Sequence, residues 1–188
     1  GADIVETALL MQGLLTVRQY FDQNTLVEKA LRKTITRLWE TVEWDWFLRD
    51  GHMIWHWSPN HGFEKNHKVR GYNECMIVYL LGIASPTHPI PASSFHEGWA
   101  SNPRYANGEK YYGIEQPVGP PMGGPLFLSH YSFTCFDPRG KRDAFANYFE
   151  NAQAITRIQH AYCRDNPGGF KGYNSLVWGL TACYTPDG

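Results

Sequence analysis

The 188-residue chain contains no apolar run of about 18 residues, so no segment reads as a membrane-spanning helix. It also lacks net charge. Seventeen Lys and Arg against eighteen Asp and Glu leave −1, which gives no electrostatic pull toward nucleic acid or an anionic membrane surface. Cysteine is scarce: Cys75, Cys135, Cys163 and Cys183 form no C-x-x-C pair, so neither a zinc knuckle nor a redox motif is read. Cys75 lies inside an apolar run and reads as a buried free thiol, while disulfides and compartment stay open. The glycine-rich stretch Gly119–Pro125 has no P-loop lysine and no dinucleotide spacing. The histidines show no H-E-x-x-H or other ligand spacing, so no metal and no cofactor is expected. Ser129 and His130 are merely adjacent, and nothing else suggests a Ser-His-Asp triad. No leader is read at the chain start, and Gly1 in place of Met reads as a processed or partial chain.

What the chain has in quantity is aromatic side chains, 15% of its residues, with seven Trp and eleven Tyr. Trp and Tyr combine a flat apolar face with a polar edge. Such faces suit the CH-rich faces of sugar rings, and they equally suit a large core. The length is sufficient for one domain with a real core.

Helical periodicity runs through the chain. Residues 2–21 predict a helix, with Ile4, Ala8, Met11, Leu15 and Tyr20 on one stripe and Val5, Leu9, Leu10, Leu14 and Val17 widening it. So wide a stripe implies burial on more than one side. Asp22-Gln-Asn-Thr25 breaks the pattern. A second helix follows over about 25–43, far richer in charge, as an outer helix packed on an inner one would be. Apolar helices are predicted over 72–84 and 173–183, and an amphipathic one over 143–163. Between them lie long aromatic and polar excursions, 43–59 and the proline-rich 85–142. In the latter, Lys110–Ile114 and Pro125–Leu128 read as short strands. Loops of that length usually carry function.

Three of these helices open on polar residues: Asp3-Ile-Val-Glu6, Gly71-Tyr-Asn-Glu74 and Gly172-Tyr-Asn174. A ring of inner helices with polar N-terminal ends at one mouth would produce that pattern. The predicted class is therefore all-α, part of an α/α toroid of helical hairpins with short β excursions.

Six segments occur in order: Glu6–Phe21, Val42–Phe47, Trp55–Pro59, Gly71–Glu74, Ser85–Pro89, and Gly124–Phe127 with His130-Tyr-Ser and Asp137-Pro-Arg. In these the chain resembles the bacterial glucoamylase-like (glycoamylase) family, related to endo-β-1,2-glucanases and to a domain of cyclic β-1,2-glucan synthases. The resemblance implies a longer α/α toroid of which residues 1–188 form one central part. It also implies apolar faces to be covered by further helices or a second chain, and a periplasmic or secreted bacterial protein. The substrate it implies is an oligo- or polysaccharide, a glucan, plausibly β-1,2-linked, cleaved with inversion. The family's name would instead suggest α-1,4 linkages. A non-catalytic glycan-binding fragment and a polysaccharide lyase are the alternatives.

The resemblance implicates Asp3, Glu6 and Glu74 in catalysis. Glycoside hydrolysis commonly needs one carboxyl group to protonate the leaving oxygen and another to activate water, ~6.5–9.5 Å apart in inverting enzymes. Glu74, expected at a helix start among Tyr72, Trp55 and Trp57, suits the acid, since desolvation raises a carboxyl pKa. Asp3 or Glu6 suits the base. Helix capping and the helix dipole account equally well for those two carboxylates. Glu43 and Asp45, two apart in an extended segment, would share a face, and Asp45 is a candidate for binding substrate. Arg70 could hold a carboxylate ionised or form a structural ion pair. Asn73 and His130 are candidates for sugar hydroxyls, whereas His56 reads as structural. Trp55, Trp57, Tyr131, Tyr173 and Trp178 are candidate sugar platforms, each equally at home in a core.

Overall fold

The computed structural model describes residues 1–182 and falls into two compact units. One contains residues 1–71 and 75–101; the other contains 72–74 and the chain from Asn102 onward. The first is built mainly of helix, and the second combines one long helix with a β-hairpin and short helical turns.

In the first unit, β1 (Ala2–Asp3) leads directly into α1 (Ile4–Tyr20). Asp3 caps this helix. Its backbone is extended, and its Oδ1 accepts hydrogen bonds from the N–H groups of Val5 and Glu6, each at 3.0 Å. The wide apolar stripe finds partners on two sides, since α1 packs on both α2 (Leu26–Glu40) and α3 (Met76–Ala84). Helix α2 is capped by Thr25, buries little beyond Ile35 and Trp39, and turns its charged residues outward.

Residues 44–47 are not extended. Trp44 is helical and fully buried, and Asp45–Phe47 form a 3-10 turn. The reason is packing. Trp44 wedges against Trp39, with ring centroids 5.7 Å apart, and Phe47 is buried three residues on, a helical rather than an alternating spacing. Glu43 and Asp45 therefore do not share a strand face.

A hairpin follows, β2 (Leu48–Arg49) to β3 (His52–Met53), turning at Asp50-Gly51, both with positive φ. Next, β4 (His56–Trp57) returns antiparallel to β1 in the register Ala2↔Trp57, Asp3↔His56. Helix α3 (Met76–Ala84) is almost wholly buried. It begins at Met76 rather than 72, so Glu74 stands in the preceding turn. Cys75 at its N-cap position offers no capping oxygen. Gly71 is tied down by its N–H to the Trp99 carbonyl at 2.9 Å. A short α4 (Ser94–Glu97) and the 3-10 turn Trp99–Ser101 close this unit.

In the second unit, β5 (Ala106–Tyr111) and β6 (Ile114–Val118) pair antiparallel across Tyr112-Gly113, both with positive φ. The predicted strand Lys110–Ile114 thus straddles a turn. Pro125–Leu128 is not a strand either: it opens α5 (Phe127–His130), because Leu128 N–H bonds back to the Pro125 carbonyl and Ser129 N–H to that of Leu126. Helix α6 (Tyr148–Asp165) starts five residues later than predicted. Asp143 Oδ1 captures the N–H groups of Phe145 and Ala146, and Asn147 is the cap. Asn166, left-handed, ends it. Gly123 (φ 85°) lies under Ile155 of α6, and a Cβ there would come within 2.4 Å of Ile155 Cγ2. The glycine-rich stretch is therefore a close-packing device.

The predicted helix 173–183 is absent over its described part, 173–182. Asn174 Oδ1 instead accepts from the N–H groups of Leu176 and Val177, a local arrangement that competes with helix. Cys183 lies outside the described residues. Among the described cysteines, Cys75 and Cys163 are buried free thiols and Cys135 is an exposed one. Among the described residues no helix is long and apolar enough to cross a membrane.

Candidate active site

Asp3 is held from α1 on one side and from Trp55 and β4 on the other. As cap of α1, its Oδ1 is committed to two backbone donors. Its Oδ2 accepts a hydrogen bond from the indole Nε1–H of Trp55 at 3.0 Å and stands 3.6 Å from His56 Nε2 on β4. The β1–β4 pairing brings these groups together: the Ile4 N–H donates to the Trp55 carbonyl at 3.1 Å, and the Trp55 N–H to the His67 carbonyl at 2.9 Å. The Asp3 side chain stays one-third exposed, so the carboxylate is oriented yet accessible. Glu6 lies one turn along α1 and is exposed.

The Trp55 ring is half-buried, with two imidazoles on one side of it. It stacks against His56 (centroids 5.6 Å, 17°) and His67 (5.1 Å, 22°). Trp57, half-buried, lines an adjoining cleft of about 430 Å³ with His56, Ser58, His61, Glu64 and Lys65. Arg70 is half-buried, and its positive charge opposes the upward push that burial exerts on the Tyr79 phenol. Asp45 Oδ1 accepts from the Trp46 N–H and is 3.2 Å from His88 Nδ1, beside an open cleft shared with Glu43 and Trp46.

In the second unit, Glu74 and Asn73 are half-buried. The Glu74 carbonyl accepts from Ser132 Oγ at 2.7 Å, which fixes the backbone of its turn. Tyr72 beside it is buried, and desolvation pushes its phenol well above the usual range. His130 is half-buried with Nε2 3.1 Å from Thr156 Oγ1, and burial lowers its pKa, favouring neutral imidazole. It lines a cleft of about 560 Å³ with Phe133, Phe149, Gln153 and Arg157. Tyr131 is half-exposed and its ring lies 5.4 Å from that of Phe127. Tyr173 lines a separate cleft of about 390 Å³ with Met122, Gln159 and Leu180, while Trp178 packs edge-on against His160.

His67 was missed as a partner of Trp55. The only sequence signal was its place before Arg70, and the stacking depends on pairing across the chain. Among the described residues, no three His, Cys, Asp or Glu side chains gather as a metal site would need.

A family model described as "Putative glucoamylase" matches residues 66–188. An exo beta-1,2-glucooligosaccharide sophorohydrolase (non-reducing end) of Parabacteroides distasonis is 44% identical over 202 residues, covering 97% of this chain and 28% of that protein. The crystal structure of a glucoamylase homologue from Bacteroides uniformis superimposes with a TM-score of 0.94 at 49% identity, over 100% of this chain and 46% of that one. An endo-beta-1,2-glucanase from Chitinophaga pinensis, solved with sophorotriose and glucose, does so at 0.93 and 44%, again over 100% and 46%. The chain thus spans less than half the length of these relatives.

Proposed function

The chain belongs to the "Putative glucoamylase" family, and from that premise we propose that the protein carrying it is a glycoside hydrolase of β-1,2-linked glucan. The observation that carries this reading is the 44% identity, across 97% of this chain, to a hydrolase of β-1,2-glucooligosaccharides. The same membership supports reading residues 1–188 as one glycoamylase-like domain, a central part of a longer α/α toroid. Export to the periplasm or beyond the cell belongs to the same reading.

Two carboxyl roles are needed. Glu74 is assigned the acid that protonates the leaving oxygen; Asp3 or Glu6 is assigned the base that takes a proton from water. Attack by that water on the anomeric carbon breaks the glycosidic bond in one displacement and inverts the configuration. Asp3 is suited to the base because N–H donors to both its oxygens hold the carboxylate in one orientation while it stays one-third exposed. Asn73, Asp45, Arg70, His130 and the aromatic residues Trp57, Tyr131, Tyr173 and Trp178 are assigned to substrate binding.

The test is reducing-sugar release by the whole protein from β-1,2-glucan, set against β-1,3-, β-1,4- and α-1,4-glucans, with NMR of the first-formed anomer. Release from the β-1,2 polymer alone, with inversion, is expected. Release only from α-1,4-glucan would overturn the linkage, and binding with no release would favour a glycan-binding accessory. Glu74→Gln is expected to lower kcat by about 10²–10⁴-fold while leaving binding intact; undiminished turnover would remove Glu74 from the role.

A further inference from the structure

We infer that Trp55 is a positioning residue for Asp3, an inference that rests on the carboxyl roles proposed above. The indole N–H has one hydrogen bond to give and no capacity to accept. It gives that bond to Asp3 Oδ2 at 3.0 Å. Everything around Trp55 serves to aim it. Its backbone N–H is bonded to the His67 carbonyl, and its carbonyl accepts from Ile4, the residue after Asp3, so the vertical offset between the two side chains is set by the β1–β4 register. Its ring is held in plane by near-parallel contacts with His56 and His67. His56 and His67, with centroids 6.0 Å apart, lie together on one side of the indole and fix the plane from which its N–H is aimed.

The chemical consequence is specific. Asp3 Oδ1 is committed to the two helix-capping N–H donors, so Oδ2 carries the remaining lone pairs that a water could approach. With Oδ2 tethered to Trp55, the carboxylate cannot turn about its Cβ–Cγ bond. Its free lone pair then keeps one direction through turnover, and a general base that wanders by about 1 Å can lose on the order of 10²-fold in rate. His56 Nε2, at 3.6 Å, backs the same oxygen.

Trp55→Phe keeps the stacking ring and deletes only the donor. In the whole protein it is expected to lower kcat about 10- to 100-fold with KM within about twofold. In the Asp3→Asn background it should add little, because the two act as a unit. A rise in KM at unchanged kcat would overturn the inference in favour of a sugar platform, as would full activity of Trp55→Phe. The second arm does not depend on turnover: the Trp55 indole ¹H–¹⁵N resonance should move upfield in Asp3→Asn, and an unmoved resonance overturns the inference. Wild-type protein that releases no sugar would sink the proposed reaction, leaving the resonance to decide whether Trp55 and Asp3 are coupled. Normal wild-type release with unaffected Trp55→Phe would sink only the positioning role.

Discussion

At the scale of single residues, a buried hydroxyl illustrates how polar groups constrain this protein. The Tyr79 hydroxyl accepts from the Met53 N–H and donates to the Val69 carbonyl, both at 2.9 Å, joining α3 to the chain that carries β3. Tyr79→Phe strands both backbone partners and is expected to cost about 1–3 kcal/mol, read as a lower denaturation midpoint at unchanged m-value. Burial also pushes the phenol up to about 12, from a usual value of about 10. The folded state keeps a proton that the unfolded chain gives up. The stability this contributes is intact below pH ~10 and is lost as pH rises toward ~12. The denaturation midpoint should therefore fall more steeply between pH ~9 and ~12 for wild type than for Tyr79→Phe. Tyr72 and Tyr148, also raised by burial, add slope of the same sign in both proteins. Asp3 as a cap was legible, because an Asp before an apolar periodic run has few other fates. Its bond to Trp55, 52 residues away, was not, since no local pattern encodes which distant N–H a strand pairing will deliver.

At the scale of elements, glycine positions separate what packing demands from what the backbone merely permits. A Cβ on Gly71 would lie 2.3 Å from the fully buried Trp99 ring, so Gly71→Ala is expected to cost about 3 kcal/mol through overpacking. Gly13 sits mid-helix in α1 with no atom within 4 Å of a built Cβ. There Gly13→Ala should stabilise by about 0.5–1 kcal/mol, seen as a higher Tm, because it removes unfolded-state freedom without a clash. Helices α1 and α2 were readable to within a few residues, since strong periodicity and clear caps agree. Helix α6 was readable except at its start, where Asp143 diverts the backbone donors of the expected first turn. Over 173–182 the predicted helix does not form, because apolar composition alone cannot outweigh an Asn side chain that satisfies the local N–H groups another way.

At the scale of the whole molecule, several large apolar side chains face solvent: Leu10 on α1 is 59% exposed, Leu26 and Val27 on α2 are 86% and 79% exposed, and Leu176 is 89% exposed. If, as proposed, further helices belong to the fold, residues 1–188 expressed alone should bind a hydrophobic dye more strongly than the longer protein does. Equal binding would speak against that arrangement. The sequence by itself determined the helical class, the contrast between apolar α1 and charged α2, the cap at Asp3 and the family, because these rest on local periodicity, capping chemistry and ordered motifs. Only the tertiary structure decided that Trp55 is a donor aimed at Asp3. Only it showed that Glu74 stands in a turn before α3, and that Gly71 and Gly123 serve close packing. Each of these follows from which distant side chains share space, and that is set by the packing of whole elements.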